Sequence, residues 1–303
     1  MSKQLKLGTR GSLLALTQSR WVANQLAQHG WDVVLEVIRT TGDRITDRIF
    51  SPGDGKGVFV AELEKALQDG SIDLAVHSMK DLPGEMPADL TLAAVPVRED
   101  PRDVLVIRTA PTLAALPAGA VVGTSSLRRR AQLLAARPEL TVTDLRGNID
   151  TRLRKLDEGQ YDAICLAAAG LHRLGQAERI TEYQDTTIMV PPVGQGALAI
   201  QARAGDERIR EALATLHHEP TALAVRAERV VLAELGGGCS IPLGVLAIVS
   251  DDHLFMIATL CSTDGRKVIR EEMTGKETPE TLGIAMARQL LARANEMGIA
   301  IPH

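Results

Sequence analysis

Arginine placement is the first pattern that points to chemistry. Arg10 stands just before a serine, Ser12, that can cap a helix, and Arg128, Arg129 and Arg130 fall in the first turn of a second predicted helix. Arg146 precedes a third, with Arg152 one turn inside it. A helix N-terminus already favours anions through its free N–H groups and its dipole, so a cation there is misplaced unless an anion lies between. Guanidinium forks pair bidentately with carboxylates or phosphates, which points to a locally cationic site for a polyanionic small molecule. Solvated surface charge is the alternative. Cys239 is the second feature, in Gly236-Gly237-Gly238-Cys239-Ser240-Ile241-Pro242. No apolar strand surrounds it, so a reactive or covalently modified thiol stands beside the reading of a small buried hydrophobe. Cys165 and Cys261 lie in apolar runs and are expected to be inert and buried. The third feature is Ser78-Met79-Lys80-Asp81, where a hydroxyl, an ammonium and a carboxylate fall within four residues.

These groups need elements to hold them. Ile72 to His77 alternate as a short buried strand that delivers Ser78 to Asp81 at its carboxyl end, where open α/β sheets bind ligands; Pro83 stops further regular structure. Upstream, Leu5–Leu7 predict a strand, Ser12 caps a helix ended by Gly30, Asp32–Thr40 a strand, and Phe59–Leu67 a helix. That β-α-β-α-β order signals a parallel sheet covered by helices. The charged, Pro-interrupted Arg98–Arg102 reads as a crossing to a second lobe. There Ala120–Thr124, Thr141–Leu145 and Tyr161–Ala169 read as strands, with helices at Leu127–Ala136 and Ile149–Leu156. KLGTRGSLLAL and VVGTSSLRRRAQLL share one plan of strand, Gly-Thr turn, Ser cap and helix. Pro191–Gly196 followed by ALAIQAR reads as a second crossing, with a strand returning to the first lobe, and two crossings imply a hinge. Beyond His217-His218, a helix (221–235), three strands (near 243–249, 253–261 and 266–273) and a last helix (279–297) predict a small α+β domain. The expected division is 1–98 with 197–216, then 99–196, then 217–303: two α/β lobes around a cleft and a C-terminal domain carrying Cys239.

Composition narrows the function. The 303 residues carry a net charge of −4 and only 2% aromatics, which argues against a nucleic-acid backbone or base-stacking partner. No apolar h-region opens the chain and no run reaches membrane-span length, so a cytoplasmic protein without a membrane partner is expected. Three widely spaced cysteines do not make a disulfide framework. No P-loop, Rossmann fingerprint, C-x-x-C, H-E-x-x-H or G-x-S-x-G occurs, and no metal site is expected.

Thr9-Arg10-Gly11-Ser12, Gly55-Lys56-Gly57-Val58-Phe59, His77-Ser78-Met79-Lys80-Asp81, Gly123-Thr124-Ser125-Ser126-Leu127-Arg128-Arg129, Leu145-Arg146-Gly147-Asn148, Val193-Gly194-Gln195-Gly196 and Gly237-Gly238-Cys239-Ser240-Ile241-Pro242 together resemble the porphobilinogen deaminase (hydroxymethylbilane synthase) family, in the same order along nearly the whole chain. The resemblance implies three domains, the first two like type II periplasmic binding proteins. It implies stepwise head-to-tail condensation of four porphobilinogen molecules into a linear tetrapyrrole with loss of ammonia. It also implies a dipyrromethane cofactor, held by a thioether to Cys239, and Asp81 as the catalytic carboxylate. Arg10, Ser12, Ser78, Lys80, Thr124, Ser125, Ser126, Arg128, Arg129, Arg146, Arg152, Gly170, Arg173 and Gln195 would bind cofactor and growing chain, with Lys56 and Phe59 in a loop over the cleft. Val58, Asp54 and Ala61 depart from the residues common in the family, which leaves the implied chemistry intact. A monomer is expected. The rival of a different class is a non-enzymatic, hinged anion-binding module, which would have no need of the Gly-Gly-Cys loop.

Overall fold

Residues 3–38, 60–236 and 241–301 are described by the structure, a computed structural model. In chain order they form β1 (Gln4–Thr9), α1 (Leu13–Gln28), β2 (Asp32–Val37), α2 (Ala61–Gln68), β3 (Leu74–Ser78) and β4 (Leu90–Ala94). Then follow β5 (Asp103–Ile107), β6 (Val121–Gly123), α3 (Leu127–Ala136), β7 (Thr141–Thr143), α4 (Ile149–Asp157), β8 (Ala163–Ala167), α5 (Ala168–Arg173) and β9 (Glu182–Tyr183). The rest comprises β10 (Leu198–Arg203), α6 (Glu207–Leu213), α7 (Glu219–Glu234), β11 (Leu243–Ser250), β12 (His253–Cys261), β13 (Val268–Gly275) and α8 (Pro279–Met297). Two units separate by contact: Met1–Glu99 with Ala197–Ala222, and Asp100–Gly196 with Leu223–His303.

In the first unit the sheet order is β2-β1-β3-β10-β4. β1 runs parallel to β2 and β3, while β10 is antiparallel to both β3 and β4. Leu5, Leu7, Leu74, Val76 and Ile200 meet Val22 and Leu26 of α1 and Ile209 and Leu213 of α6 in one core. The second unit repeats this plan as β7-β6-β8-β5-β9. β6 is parallel to β7 and β8, and the fourth strand, β5, is antiparallel to β8 and β9. The shared Gly-Thr pattern thus marks a shared topology. In each copy the glycine has no room for a Cβ: at Gly8 it would collide with Ile72, and at Gly123 it would sit 2.8 Å from the Tyr161 ring. The threonines beside them, Thr9 and Thr124, are buried. The same unit contains the antiparallel sheet β11-β12-β13, whose Val245, Met256, Ala258 and Ile269 pack on Val231 of α7 and Met286 and Leu290 of α8.

The fold class is therefore α/β with two lobes of type II periplasmic-binding-protein topology and a small α+β C-terminal part. Three strands, β4, β5 and β9, arise where the sequence reading assigns none. The strand expected to reach Ala169 ends at Ala167, where α5 begins. Ala168, Ala169 and Leu171 are buried in the helix as they would be in a strand, so an apolar run alone does not separate the two. Among the described residues no helix is long and apolar enough to cross a membrane.

Candidate active site

In the first unit the carboxyl ends of β1 and β3 lie side by side, Gly8 opposite Ala75. β1 delivers Arg10 and then Ser12, whose side chain caps α1 by accepting from Ala15 N–H at 3.3 Å. β3 delivers Ser78, and a single 3-10 turn, Met79–Asp81, follows. Met79 and Leu82 are buried on either side of exposed Lys80 and Asp81, and Met79 N–H donates to Ala197 O at 3.0 Å. The turn is thereby fastened at both ends while the ammonium and carboxylate face outward. Gln18, buried on α1, donates to Ser78 Oγ at 3.0 Å and fixes the strand end to the helix.

One residue further back, His77 is enclosed. Its Nε2 lies 3.0 Å from Gln201 Oε1, and Gln201 Nε2 donates to Glu64 Oε1 at 2.8 Å. With the Gln201 oxygen facing the ring, Nε2 carries the proton. Burial pushes His77 down to about 4, with the Arg10 cation acting in the same direction against the Gln201 hydrogen bond. The imidazole is neutral at physiological pH.

In the second unit three loops leave the carboxyl ends of β6, β7 and β8. Ser126 caps α3 by accepting from Arg129 N–H at 3.4 Å, and Thr124 Oγ1 accepts from Ser126 N–H at 3.2 Å. Ser125 Oγ donates to Leu145 O at 3.0 Å and accepts from Leu145 N–H at 3.1 Å, tying this loop to the next. Asn148 caps α4, accepting from Thr151 N–H at 3.2 Å. Arg152 Nε donates to Gly147 O at 2.7 Å across the turn that presents Arg146, and Lys155 Nζ donates to Arg146 O at 3.2 Å. Gly170 sits where an added Cβ would stand 2.6 Å from Ile149 Cδ1, so its smallness seats α5 on α4. Arg173 Nη2 donates to Gly196 O at 2.7 Å.

Arg128 and Arg129 are not solvated surface charges: they are 4% and 7% exposed. The anion between them is internal. Asp103, 0% exposed at the head of β5, lies 2.7 Å from Arg128 Nη1 through Oδ2 and 2.7 Å from Arg129 Nη2 through Oδ1. Gln195 Nε2 donates to the same Oδ1 at 2.9 Å and to Pro101 O at 2.8 Å. Although burial opposes it, the two guanidinium charges hold the Asp103 carboxyl well below the usual carboxylate range. Sequence reading misses Asp103. Its available signal is a carboxylate opening the fully apolar run DVLVI, since a charge drawn into such a strand requires a buried partner.

The antiparallel sheet is joined to the lobe by another buried carboxylate. Glu228 of α7, 0% exposed, accepts from Gly194 N–H at 2.6 Å and Ala247 N–H at 2.8 Å. Cys165 and Cys261 are buried, and burial pushes the Cys165 thiol up to about 12. Cys239, Lys56 and Phe59 lie outside the described residues. His217 and His218 make local contacts, to Glu219 and Thr221, and among the described residues no cluster suits a metal ion.

The donor set is chemically one-sided: guanidiniums, an ammonium, hydroxyls and helix N-termini at strand ends, all suited to carboxylates. Among the described residues the buried Nε of Arg128 has no hydrogen-bond partner. Such a donor fits a group that brings carboxylates of its own.

Comparison with known sequences points the same way. The family model described as "Porphobilinogen deaminase, dipyromethane cofactor binding domain" matches residues 5–211, and "Porphobilinogen deaminase, C-terminal domain" matches residues 222–292. Relatives bearing the name porphobilinogen deaminase include one from Roseiflexus castenholzii, 50% identical over 96% of this chain and 97% of its own length. Another, from Syntrophotalea carbinolica, is 49% identical over 99% of this chain and 96% of its own. Among solved structures, the lipoprotein Tp32 from Treponema pallidum overlays 73% of this chain and 94% of its own at 17% identity and a TM-score of 0.45.

Proposed function

The chain belongs to the porphobilinogen deaminase family, and from that premise we propose that Asp81 is its catalytic carboxylate and Cys239 the residue that carries its dipyrromethane. The activity is that of a transferase, hydroxymethylbilane synthase: four porphobilinogen molecules are joined head to tail with release of ammonia, in tetrapyrrole biosynthesis. When bound, the dipyrromethane supplies a terminal pyrrole carbon as nucleophile.

In each round the aminomethyl C–N bond of porphobilinogen breaks, the nitrogen leaves as ammonia, and an azafulvenium cation remains. A new C–C bond to its methylene carbon consumes that cation, and the attacking pyrrole carbon gives up its proton. Asp81 is suited to the charged stage: a fixed carboxylate beside the pyrrole N–H stabilises the cation as it develops and can accept a proton. Its turn is fastened by Met79 and Leu82, so the carboxylate is already in place when charge develops. The arginines answer the two carboxylates on every pyrrole. We assign Arg10, Ser12, Ser78 and Lys80 from the first lobe to these contacts. From the second we assign Thr124, Ser125, Ser126, Arg128, Arg129, Arg146, Arg152 and Arg173, with Gly170 and Gln195 shaping the site. The division 1–98 with 197–216, 99–196 and 217–303 is our reading of the domains. A monomer acting in the cytoplasm, without nucleic-acid or membrane partners, completes our reading, and the net charge of −4 and 2% aromatics argue against a nucleic-acid partner.

The observation that carries the catalytic assignment is the exposed Asp81 at the carboxyl end of a parallel strand, beside an exposed ammonium. Asp81→Asn keeps size and removes the charge, so turnover of porphobilinogen should fall by on the order of 10²–10⁴ with an unchanged melting temperature. Near wild-type turnover in a folded Asp81→Asn protein would remove Asp81 from the chemistry.

A further inference from the structure

Two buried guanidiniums share one buried carboxylate, and they do not share it equally. All the donor positions of Arg129 that meet the interior are engaged: Nε and Nη2 with Asp103 Oδ1 at 2.9 and 2.7 Å, and Nη1 with Cys165 O at 3.0 Å. Among the described residues Arg128 is bound only through Nη1, to Asp103 Oδ2 and Val190 O, each at 2.7 Å, and its buried Nε meets no partner there. Asp103 Oδ2 has this ion pair but no aligned hydrogen bond. Two positive charges against one negative leave the cluster with one positive charge inside the protein.

We propose that Asp103 is a positioning residue for cofactor binding: with Arg129 as its brace it orients Arg128, and it sets the cluster's surplus at one positive charge, matched to one incoming carboxylate. The inference rests on assigning this arginine pair to the dipyrromethane. A buried net charge is costly until a counter-ion arrives, so the surplus itself favours the ligand. Were Asp103 absent, two like charges would face each other. Were Arg129 absent, Asp103 would neutralise Arg128 and the site would lose its attraction for an anion. Gln195, bonded to Asp103 and to Pro101 O, carries the same carboxylate's position into the segment at Gly194–Gly196.

The decisive comparison is between Arg129→Met and the double variant Asp103→Asn with Arg129→Met. Each purified protein is incubated with porphobilinogen, and the fraction carrying a two-pyrrole adduct is read by intact mass. Arg129→Met should lower that fraction about tenfold, because its cluster is neutral. The double variant restores one positive charge on Arg128 and should recover several-fold over Arg129→Met, although it carries one more interior substitution. A purely structural Asp103 predicts the opposite order, since two core lesions do more damage than one. A double variant at or below the single one, whether through lost binding or lost folding, overturns the proposal. Asp103→Asn alone, which leaves two like charges facing each other, should lower the fraction clearly, whereas Asp103→Glu, which keeps the charge, should stay within a few-fold of wild type; equal losses in these two variants also overturn the proposal. Wild-type protein without any adduct would instead end the cofactor assignment on which this inference rests.

Discussion

His77 shows how a single side chain can be decided by its surroundings. Enclosed against Gln201 and pushed down to about 4 by burial, it stays neutral where a free histidine would be half protonated. An unfolded chain takes up a proton near pH 6.5, and the folded one takes it up only near pH 4. Folding stability should therefore be flat above about pH 6.5 and fall as the pH drops toward 4, by up to about 3 kcal/mol from this group. His77→Gln cannot titrate, so urea unfolding midpoints followed over this window should slope less in that variant. An identical slope would mean that His77 is not held neutral in the fold. The same enclosure separates His77 from Asp81: the histidine is inside and uncharged, the carboxylate four residues later is outside.

At the scale of elements, close backbone approach joins the Glu228 carboxylate in holding the antiparallel sheet to its lobe. Gly265, in the β12–β13 turn, has φ +72, and a Cβ there would strike the carbonyl oxygen of Ala131 on α3. Gly175 has nearly the same conformation, φ +66, with nothing within 4 Å of its would-be Cβ. The pair separates conformational strain from steric exclusion. Gly175→Ala should cost about 1 kcal/mol, the price of a left-handed residue alone, and Gly265→Ala clearly more, about 2–3 kcal/mol. Equal losses in thermal unfolding would mean that the hairpin turn yields to the added methyl. Gly8, Gly123 and Gly244 belong with Gly265: at all four a side chain would meet a neighbour, and Gly244 would meet the Val190 carbonyl.

For the molecule as a whole, a group attached through one thiol and held only by the folded state should raise the protein's stability. Wild-type protein should gain the mass of two pyrrole units and Cys239→Ser should not. Loaded wild type should melt several degrees above Cys239→Ser. An adduct that persists in Cys239→Ser, or that maps to Cys165 or Cys261, would place the attachment elsewhere. Equal melting temperatures would mean that the group contributes nothing to the fold. Cys165 is a poor rival, because burial pushes its thiol up to about 12 and leaves almost no thiolate to react.

Local signals were enough for much of this. The apolar periodicity of β1, α1, α3 and α8, the serine and asparagine caps at Ser12, Ser126 and Asn148, and the repeated Gly-Thr turns are near-neighbour effects, written within a few residues of where they act. The motifs around Arg10, Asp81, Arg128 and Cys239 were legible for the same reason, as contiguous stretches. What sequence could not provide is anything that depends on which distant segments meet. β5 and β9 are strands because their partners arrive from elsewhere in the chain, and the four apolar residues that follow Asp103 in β5 have no period of their own to declare it. The start of α5 at Ala168 was hidden because strand and helix bury the same alanines. The charge of the arginine cluster was also hidden, since Asp103 lies 25 residues from Arg128 in sequence and 2.7 Å from it in space. Coulombic pairing follows distance through space, and that distance exists only once the β5–β8 pairing has formed.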